Sequence, residues 1–248
     1  MNNNNNNNKA PMLLHSTYFN LGTSNTADIV EAYMAEAREY LSESQGMISF
    51  WIGTRADDMT RPENDLKYDI AMHQLFKDQA SFNLYNANDQ AHNQFVIDVN
   101  RWVPGTTRRV MDANVSHLII GGNSSEPQSI GADGNYPQSL FHDLYFSLRD
   151  KSEENIKKFT AICKKYLSGH PGIQQFVTGG LTDIKRDVSV RNFQVAISIV
   201  YESKKAYDHY LKSKKHDEFF AATAGMIANT YIFDSYIKYQ SKVYCLAR

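Results

Sequence analysis

Much of what would make a function easy to read is missing from this chain. Two cysteines in 248 residues, Cys163 and Cys245, are too few for a disulfide scaffold. They suit a reducing compartment, so a cytoplasmic location is expected, and Cys163 reads as a small core residue. No apolar run reaches the roughly 18 residues a membrane span needs, so no membrane partner is expected. The net charge of −1 gives the whole chain neither the basic balance of a nucleic-acid binder nor the acidity of a solvating tail. Gly121-Gly122 and Gly179-Gly180 stand without the further glycines or the lysine of a phosphate loop. Neither Cys-x-x-Cys nor His-x-x-x-His occurs, so no structural zinc and no other metal or cofactor is expected.

A hydrophobic fraction of 42% and an aromatic fraction of 12% are enough for a real core. The clearest signal is an internal repeat. Leu13-Leu14-His15-Ser16-Thr17-Tyr18-Phe19-Asn20-Leu21 aligns with Leu140-Phe141-His142-Asp143-Leu144-Tyr145-Phe146-Ser147-Leu148, sharing Leu, His, Tyr, Phe and Leu at an offset of 127. Gly46, Phe50 and Gly53 match Gly172, Phe176 and Gly179 at 126. Tyr68 to Met72 matches Phe193 to Ile197 at 125, and His92-Asn93-Gln94-Phe95 matches His216-Asp217-Glu218-Phe219 at 124. The offset drifts slowly and in order, as small insertions would make it do.

The duplication divides the chain into a disordered Asn-rich tail (1–11), a first domain (12–120), a linker rich in Gly, Ser, Asn and Pro (121–138) and a second domain (139–248). Each copy reads β-α-β-β-α-β. Copy one is expected as Met12–Asn20, Ala27–Ser42, Met47–Gly53, Leu66–Phe76, Gln79–Asn100 and Val110–Ile120. In copy two the first strand alternates His142, Leu144, Phe146 and Leu148 on one face. Ser152 caps a helix whose apolar stripe is Ile156, Phe159, Cys163 and Tyr166. A strand near Ile173–Val177 follows, then one alternating Phe193, Val195, Ile197, Ile199 and Tyr201. A broken helical stretch from Ser203 to about Met226 and a last strand near Thr230–Tyr239 complete it.

One face of each sheet is strongly apolar and suits the helices. The other mixes Ala, Ser, Thr and polar residues and still needs a cover. A sister sheet would provide it, giving an α+β fold of two ferredoxin-like domains packed sheet to sheet as an intrachain barrel. The expected solution state is a monomer acting as a pseudo-dimer. Residues 12–120 carry 8 basic and 14 acidic residues, a net of −6, and residues 139–248 carry 17 and 11, a net of +6. The asymmetry either favours pairing between unlike halves or marks two solvated surfaces.

The opening His-x-x-Tyr-Phe-x-Leu, the Pro-Gly-Ile leading into the second strand, the Phe-x-Val-Ala of the third and the run Tyr210-Leu211-Lys212-Ser213-Lys214-Lys215-His216-Asp217-Glu218-Phe219 together resemble the stress-responsive A/B-barrel (Dabb) family of the dimeric ferredoxin-like superfamily. The second copy carries the resemblance along nearly its whole length, the first only in divergent form. The resemblance implies paired ferredoxin-like units. It leaves the activity open between a binding protein, a cofactor-independent cyclase or lyase acting on polyketide-like substrates, and a haem-binding monooxygenase relative. In the cyclase-like branch a histidine removes a proton beside a carbonyl and a tyrosine hydroxyl holds the enolate oxygen.

Tyr210 and His216, six apart, match that branch's pattern, with His142 beside them on the first strand. Leu144, Phe146, Phe159, Tyr207 and Phe219 are the expected walls of a pocket for a small apolar or aromatic ligand. The first copy has Tyr85 and His92 seven apart, so that pair is not expected to converge. The branch's histidine on the third strand is here Val195, and in copy one Ile70, with His73 on the opposite face. For haem, the axial candidates are His170 and His209. The basic run from Lys204 to Lys215 is interleaved with Tyr207 and Tyr210. It is read as a solvated helix face, and no nucleic-acid partner is expected.

Overall fold

The computed structural model describes residues 10–120 and 139–241. Most of the expected tail, the linker and Cys245 lie outside the described residues. Half one runs β1 (Leu13–Asn20), α1 (Ala27–Leu41), β2 (Met47–Arg55), β3 (Ile70–Phe76), α2 (Gln79–Asn88), α3 (Gln90–Trp102) and β4 (Thr107–Ile120). Half two repeats the order as β5 (Leu140–Leu148), α4 (Glu153–Leu167), β6 (Ile173–Leu181), β7 (Val195–Tyr201), α5 (Lys204–Leu211), α6 (Lys214–Thr223) and β8 (Ile227–Gln240).

All eight strands form one closed antiparallel barrel in the order β1-β3-β2-β8-β5-β7-β6-β4. The halves therefore do more than face each other, because their edge strands pair. Trp51–Arg55 of β2 run against Ser235–Gln240 of β8, and Ala113–Ile120 of β4 against Gln175–Leu181 of β6. Closure removes every free sheet edge. It also explains why β2 and β6 run past the expected ends at Gly53 and Val177: sister strands supply partners for the added residues.

Gly53 and Gly179, matched in the repeat, sit at the two seams. A Cβ on Gly53 would lie 2.1 Å from the Tyr236 carbonyl oxygen, and one on Gly179 would lie 2.0 Å from that of Asn114. Only a residue without a side chain allows this backbone approach.

Alternation sends His15, Phe19, His142, Leu144 and Phe146 outward under the helices and Leu14, Ser16, Tyr18, Phe141, Asp143 and Tyr145 into the barrel. Two large cores fill the sheet–helix layers, one per half. In half two Phe146, Phe159 and Phe219 pack ring against ring at centroid distances of 5.1–6.1 Å. Burying each such ring is worth roughly 2–3 kcal/mol. Cys163 lies in the same core, where burial pushes its thiol pKa up.

The barrel interior is more aromatic than the sequence suggests. Tyr18 stacks on Phe233 at 4.0 Å, and Tyr68, Tyr145 and Phe193 join them. Phe193, expected on the helix side with Val195, points inward because β7 begins only at Val195 and the alternation does not extend back to it. Tyr68 sits likewise ahead of β3.

A polar ring crosses the barrel between the halves. The Tyr18 hydroxyl donates to Asp143 Oδ2 (3.1 Å) and lies 2.9 Å from the Tyr145 hydroxyl. His73 Nδ1 is 2.9 Å from Ser16 Oγ. His73 Nε2 is 3.2 Å from Asp143 Oδ2, at ion-pair range though off the line of a hydrogen bond.

The opposite net charges do not meet at this junction. Lys157, Lys158, Lys164, Lys165, Lys212, Lys214 and Lys215 are exposed on the helix layer of half two, and Asp28, Glu31, Glu39 and Glu43 on that of half one. These layers cover the outer faces of their own sheets, so the charge difference marks two solvated surfaces. Tyr207 and Tyr210 are buried while Lys205 and Lys212 are exposed. Aromatic and basic residues of that run therefore occupy different faces. Among the described residues no helix is long and apolar enough to cross a membrane.

Candidate functional site

The site begins with a buried histidine on the first strand of each half. His142 Nδ1 lies 2.6 Å from Asp234 Oδ1 on the neighbouring β8. His15 Nδ1 lies 2.6 Å from Asp112 Oδ1 on β4. A carboxylate only accepts, so Nδ1 carries a proton in both.

Each carboxylate is also met by an arginine from the other half. Arg61, in the β2–β3 loop of half one, reaches Asp234 Oδ2 at 2.8 Å, and Asn64 of the same loop reaches it at 2.6 Å. Arg186, in the β6–β7 loop of half two, reaches Asp112 Oδ2 at 2.5 Å. The loops cross in opposite directions, so each His–Asp pair is completed only by the sister half. Burial works against ionisation of Asp234, but His142, Arg61 and Asn64 outweigh it and hold its pKa below the usual carboxylate value. Burial pulls the His15 pKa down, only partly offset by Asp112, so its imidazole is neutral at pH 7.

The helices bring the remaining groups. Ser213 Oγ accepts from the His216 N–H at 3.2 Å and starts α6, and Asp89 accepts from the His92 N–H at 3.1 Å and starts α3. Each cap stands three residues before its histidine and turns it toward a tyrosine. Tyr210 and His216 are 4.9 Å apart between ring centroids, and Tyr85 and His92 are 4.4 Å apart. The pair in half one thus converges, against the expectation from its longer spacing. The single helix expected over Gln79–Asn100 breaks at Asp89, and the break absorbs the extra residue.

Around His142 stand Tyr207 at 5.0 Å, Tyr210 at 6.2 Å and Tyr201 at 6.5 Å, centroid to centroid. Burial raises the pKa of all three hydroxyls, which stay protonated. The Tyr201 and Tyr207 hydroxyls, although buried, have no partner among the described residues. Burial, then the nearby His142, lowers the His216 pKa, so this half-buried imidazole is neutral at pH 7.

Of the residues expected in the site, His142, Tyr207, Tyr210 and His216 gather at one end of the sheet–helix layer. Leu144, Phe146, Phe159 and Phe219 lie in the tightly packed core beside it. Asp112, Asp234, Arg61, Asn64 and Arg186 were not anticipated. Aspartates and arginines in a last strand and a loop read as surface. Only the matching 61/186 spacing of the arginines, 125, hinted at their equivalence.

Neither haem candidate is placed as an axial ligand. His170 turns its Nε2 to the Tyr166 carbonyl oxygen at 3.0 Å, and His209 lies on the exposed face of α5. Among the described residues no group of three or more His, Cys, Asp or Glu is arranged to hold a metal ion.

The sequence profile of the Stress Responsive A/B Barrel Domain matches residues 140–237. No curated protein matches the chain in sequence. Among solved structures, a candidate monooxygenase from Fusobacterium nucleatum aligns at 15% identity with a TM-score of 0.67, over 94% of this chain and 95% of that one. A candidate monooxygenase from Lactobacillus acidophilus aligns at 13% and 0.65, over 94% and 96%. An anthrone oxidase-like protein aligns at 10% and 0.60, over 94% of each chain. At these identities the likeness is one of fold, and it spans both halves. Residues 140–237 of the second half thus match the stress-responsive A/B-barrel domain, and the same fold is built twice in tandem.

Proposed function

We propose that the protein binds a small aromatic ligand bearing an oxygen, a phenol or ketone, at the end of the half-two sheet–helix layer around His142. The observation that carries this reading is the pair of buried, unpartnered hydroxyls of Tyr201 and Tyr207 beside an imidazole held by Asp234. A buried hydroxyl without a partner costs about 1–3 kcal/mol. Phenylalanine, which half one uses at both equivalent positions (Phe76 and Phe82), would avoid the cost. A group retained against stability is a functional candidate. His142 Nε2 makes no hydrogen bond among the described residues, because Leu144 stands where half one has Thr17 (Oγ1 3.3 Å from His15 Nε2). The anthrone oxidase-like neighbour favours a ligand of this class.

The test is calorimetric titration with 2-naphthol. Wild type should bind, and Tyr207→Phe should lose at least about tenfold in affinity, equivalent to about 1.4 kcal/mol. Equal affinity for both would refute the reading.

A catalytic role at the same site is the second reading. Its specific support is the Asp234-oriented imidazole of His142 close to the Tyr210–His216 pair. Either histidine would take a proton beside a carbonyl, and Tyr210 would donate to the developing enolate oxygen. Turnover of linear polyketide mimics by wild type, His142→Ala and His216→Ala separates the readings. Equal rates in all three remove catalysis.

A further inference from the structure

Half one contains the same His–Asp–Arg frame, but its unpartnered polar atoms are different ones. Gln74 on β3 is fully buried, and neither its amide nitrogen nor its amide oxygen has a hydrogen-bond partner among the described residues. The amide lies beside the Tyr85 hydroxyl without the geometry of a hydrogen bond. His92, whose ring packs against Tyr85, keeps a buried and unpartnered Nδ1. Arg186 spends Nη2 on Asp112 and Nη1 on Asn86 (3.0 Å), and its buried Nε is unpartnered. Its guanidinium carbon is 5.4 Å from the centre of the Phe82 ring.

Half two offers none of this. Gln74 is replaced by Ile199. Arg61 gives its Nε–H to Asn64 Oδ1 at 3.0 Å. The polar atoms around Tyr85 are therefore a property of half one alone.

We infer that half one holds a second binding site, around Tyr85, for a neutral aromatic carboxamide or lactam. The donor and acceptor inventory selects the class. The Arg186 Nε–H and the Gln74 amide N–H call for an acceptor, while the Gln74 oxygen calls for a donor. A carboxamide carries both on one carbon. A carboxylate carries only acceptors, and the Arg186 charge is already met by Asp112. Phe76, Phe82 and Tyr85 pack ring against ring beside these atoms at 5.1–6.1 Å, so a bound aromatic ring would part them and take over their contacts.

The experiment uses the full chain with benzamide as the probe and benzoate and toluene as comparisons. Nitrogen-edited NMR reads the Gln74 side-chain amide, and calorimetry reads affinity. Benzamide should shift the Gln74 amide resonances and bind more tightly than either comparison. Gln74→Leu and Arg186→Lys should each weaken it at least about tenfold. Arg186 is partly exposed, so its variant keeps the test open if Gln74→Leu fails to fold. An unmoved Gln74 amide at saturating benzamide would overturn the inference, and so would toluene binding as tightly as benzamide. Benzamide affinity should survive Tyr207→Phe, which reports on half two; its loss there would place the ligand in half two and overturn the inference. Failure of the half-two reading leaves this one standing, since Gln74 and Arg186 read half one alone.

Discussion

The two halves share a frame and differ in what they line it with. Both place a strand histidine 2.6 Å from an aspartate, both borrow an arginine from the sister half, and both cap a short helix so that a histidine meets a tyrosine. Half two surrounds the frame with three phenols, whereas half one uses Phe76 and Phe82 at two of those places and adds Gln74. The difference teaches that the repeated parts are those the fold needs, seams and caps included. The parts that diverged are the walls, which the fold can vary without cost to its closure.

The largest effects are expected where the halves are equivalent. Gly53→Val and Gly179→Val each drive a side chain into the backbone of the opposite seam. Each should cost on the order of 4 kcal/mol or more, or prevent folding. Thermal melts followed by circular dichroism would show it. A seam that tolerates valine is not closed as described here.

Next comes the barrel interior, where the halves are unlike. Asp143 faces His73 across the junction, and their equivalents in the other half are Ser16 and Ser198. Asp143→Ala should cost about 3–5 kcal/mol by urea unfolding, since it strips a buried imidazole of its carboxylate. The double variant Asp143→Ser with His73→Ser, which gives each half the other's residue, should recover much of that loss. No recovery would mean that the two residues act independently.

The phenols give a smaller effect with an unusual sign. Tyr207→Phe should raise stability by about 1 kcal/mol by removing an unpaired buried hydroxyl, and Phe82→Tyr should lower it by about 1–3 kcal/mol. A destabilised Tyr207→Phe would show that the hydroxyl serves the fold.

The last contrast is a pH response that separates the two histidine–tyrosine pairs. Burial, with His15 close by, lowers the His92 pKa to about 4, below its unfolded value near 6.5. Over that interval the unfolded chain binds the extra proton. Stability from His92 is therefore full above about pH 6.5 and falls as the pH drops toward 4. His92→Asn should flatten that part of the stability profile, and an NMR titration of His92 with its midpoint near 6.5 would contradict the shift. Asp234, whose folded pKa is depressed, contributes stability that is lost only at lower pH, below the ordinary carboxylate value.

The fold was largely legible because its signals are local and repeated. Alternation gave the strands, and Ser152 marked the start of α4. The 124–127 offsets implied two equal units. Edge pairing was not legible, since nothing local distinguishes a strand end that meets solvent from one that meets a sister strand. Phe193 was misplaced because alternation was extended beyond the true start of β7.

In the site, His142, Tyr207, Tyr210 and His216 stood out because imidazoles and phenols on apolar faces are conspicuous. Asp234 and Arg61 did not, since the frame exists only after two loops cross between halves more than 120 residues apart in the chain. Tyr85 and His92 were judged by spacing, which a helix break at Asp89 made irrelevant.

The most direct test of the central claim is sedimentation equilibrium of the full chain over a wide micromolar range. A barrel closed by its own two halves gives the mass of one chain at every concentration. A mass that rises to two chains on dilution-reversible association, abolished by valine at Gly53 or Gly179, would mean that the seams join different molecules, and would contradict intrachain closure.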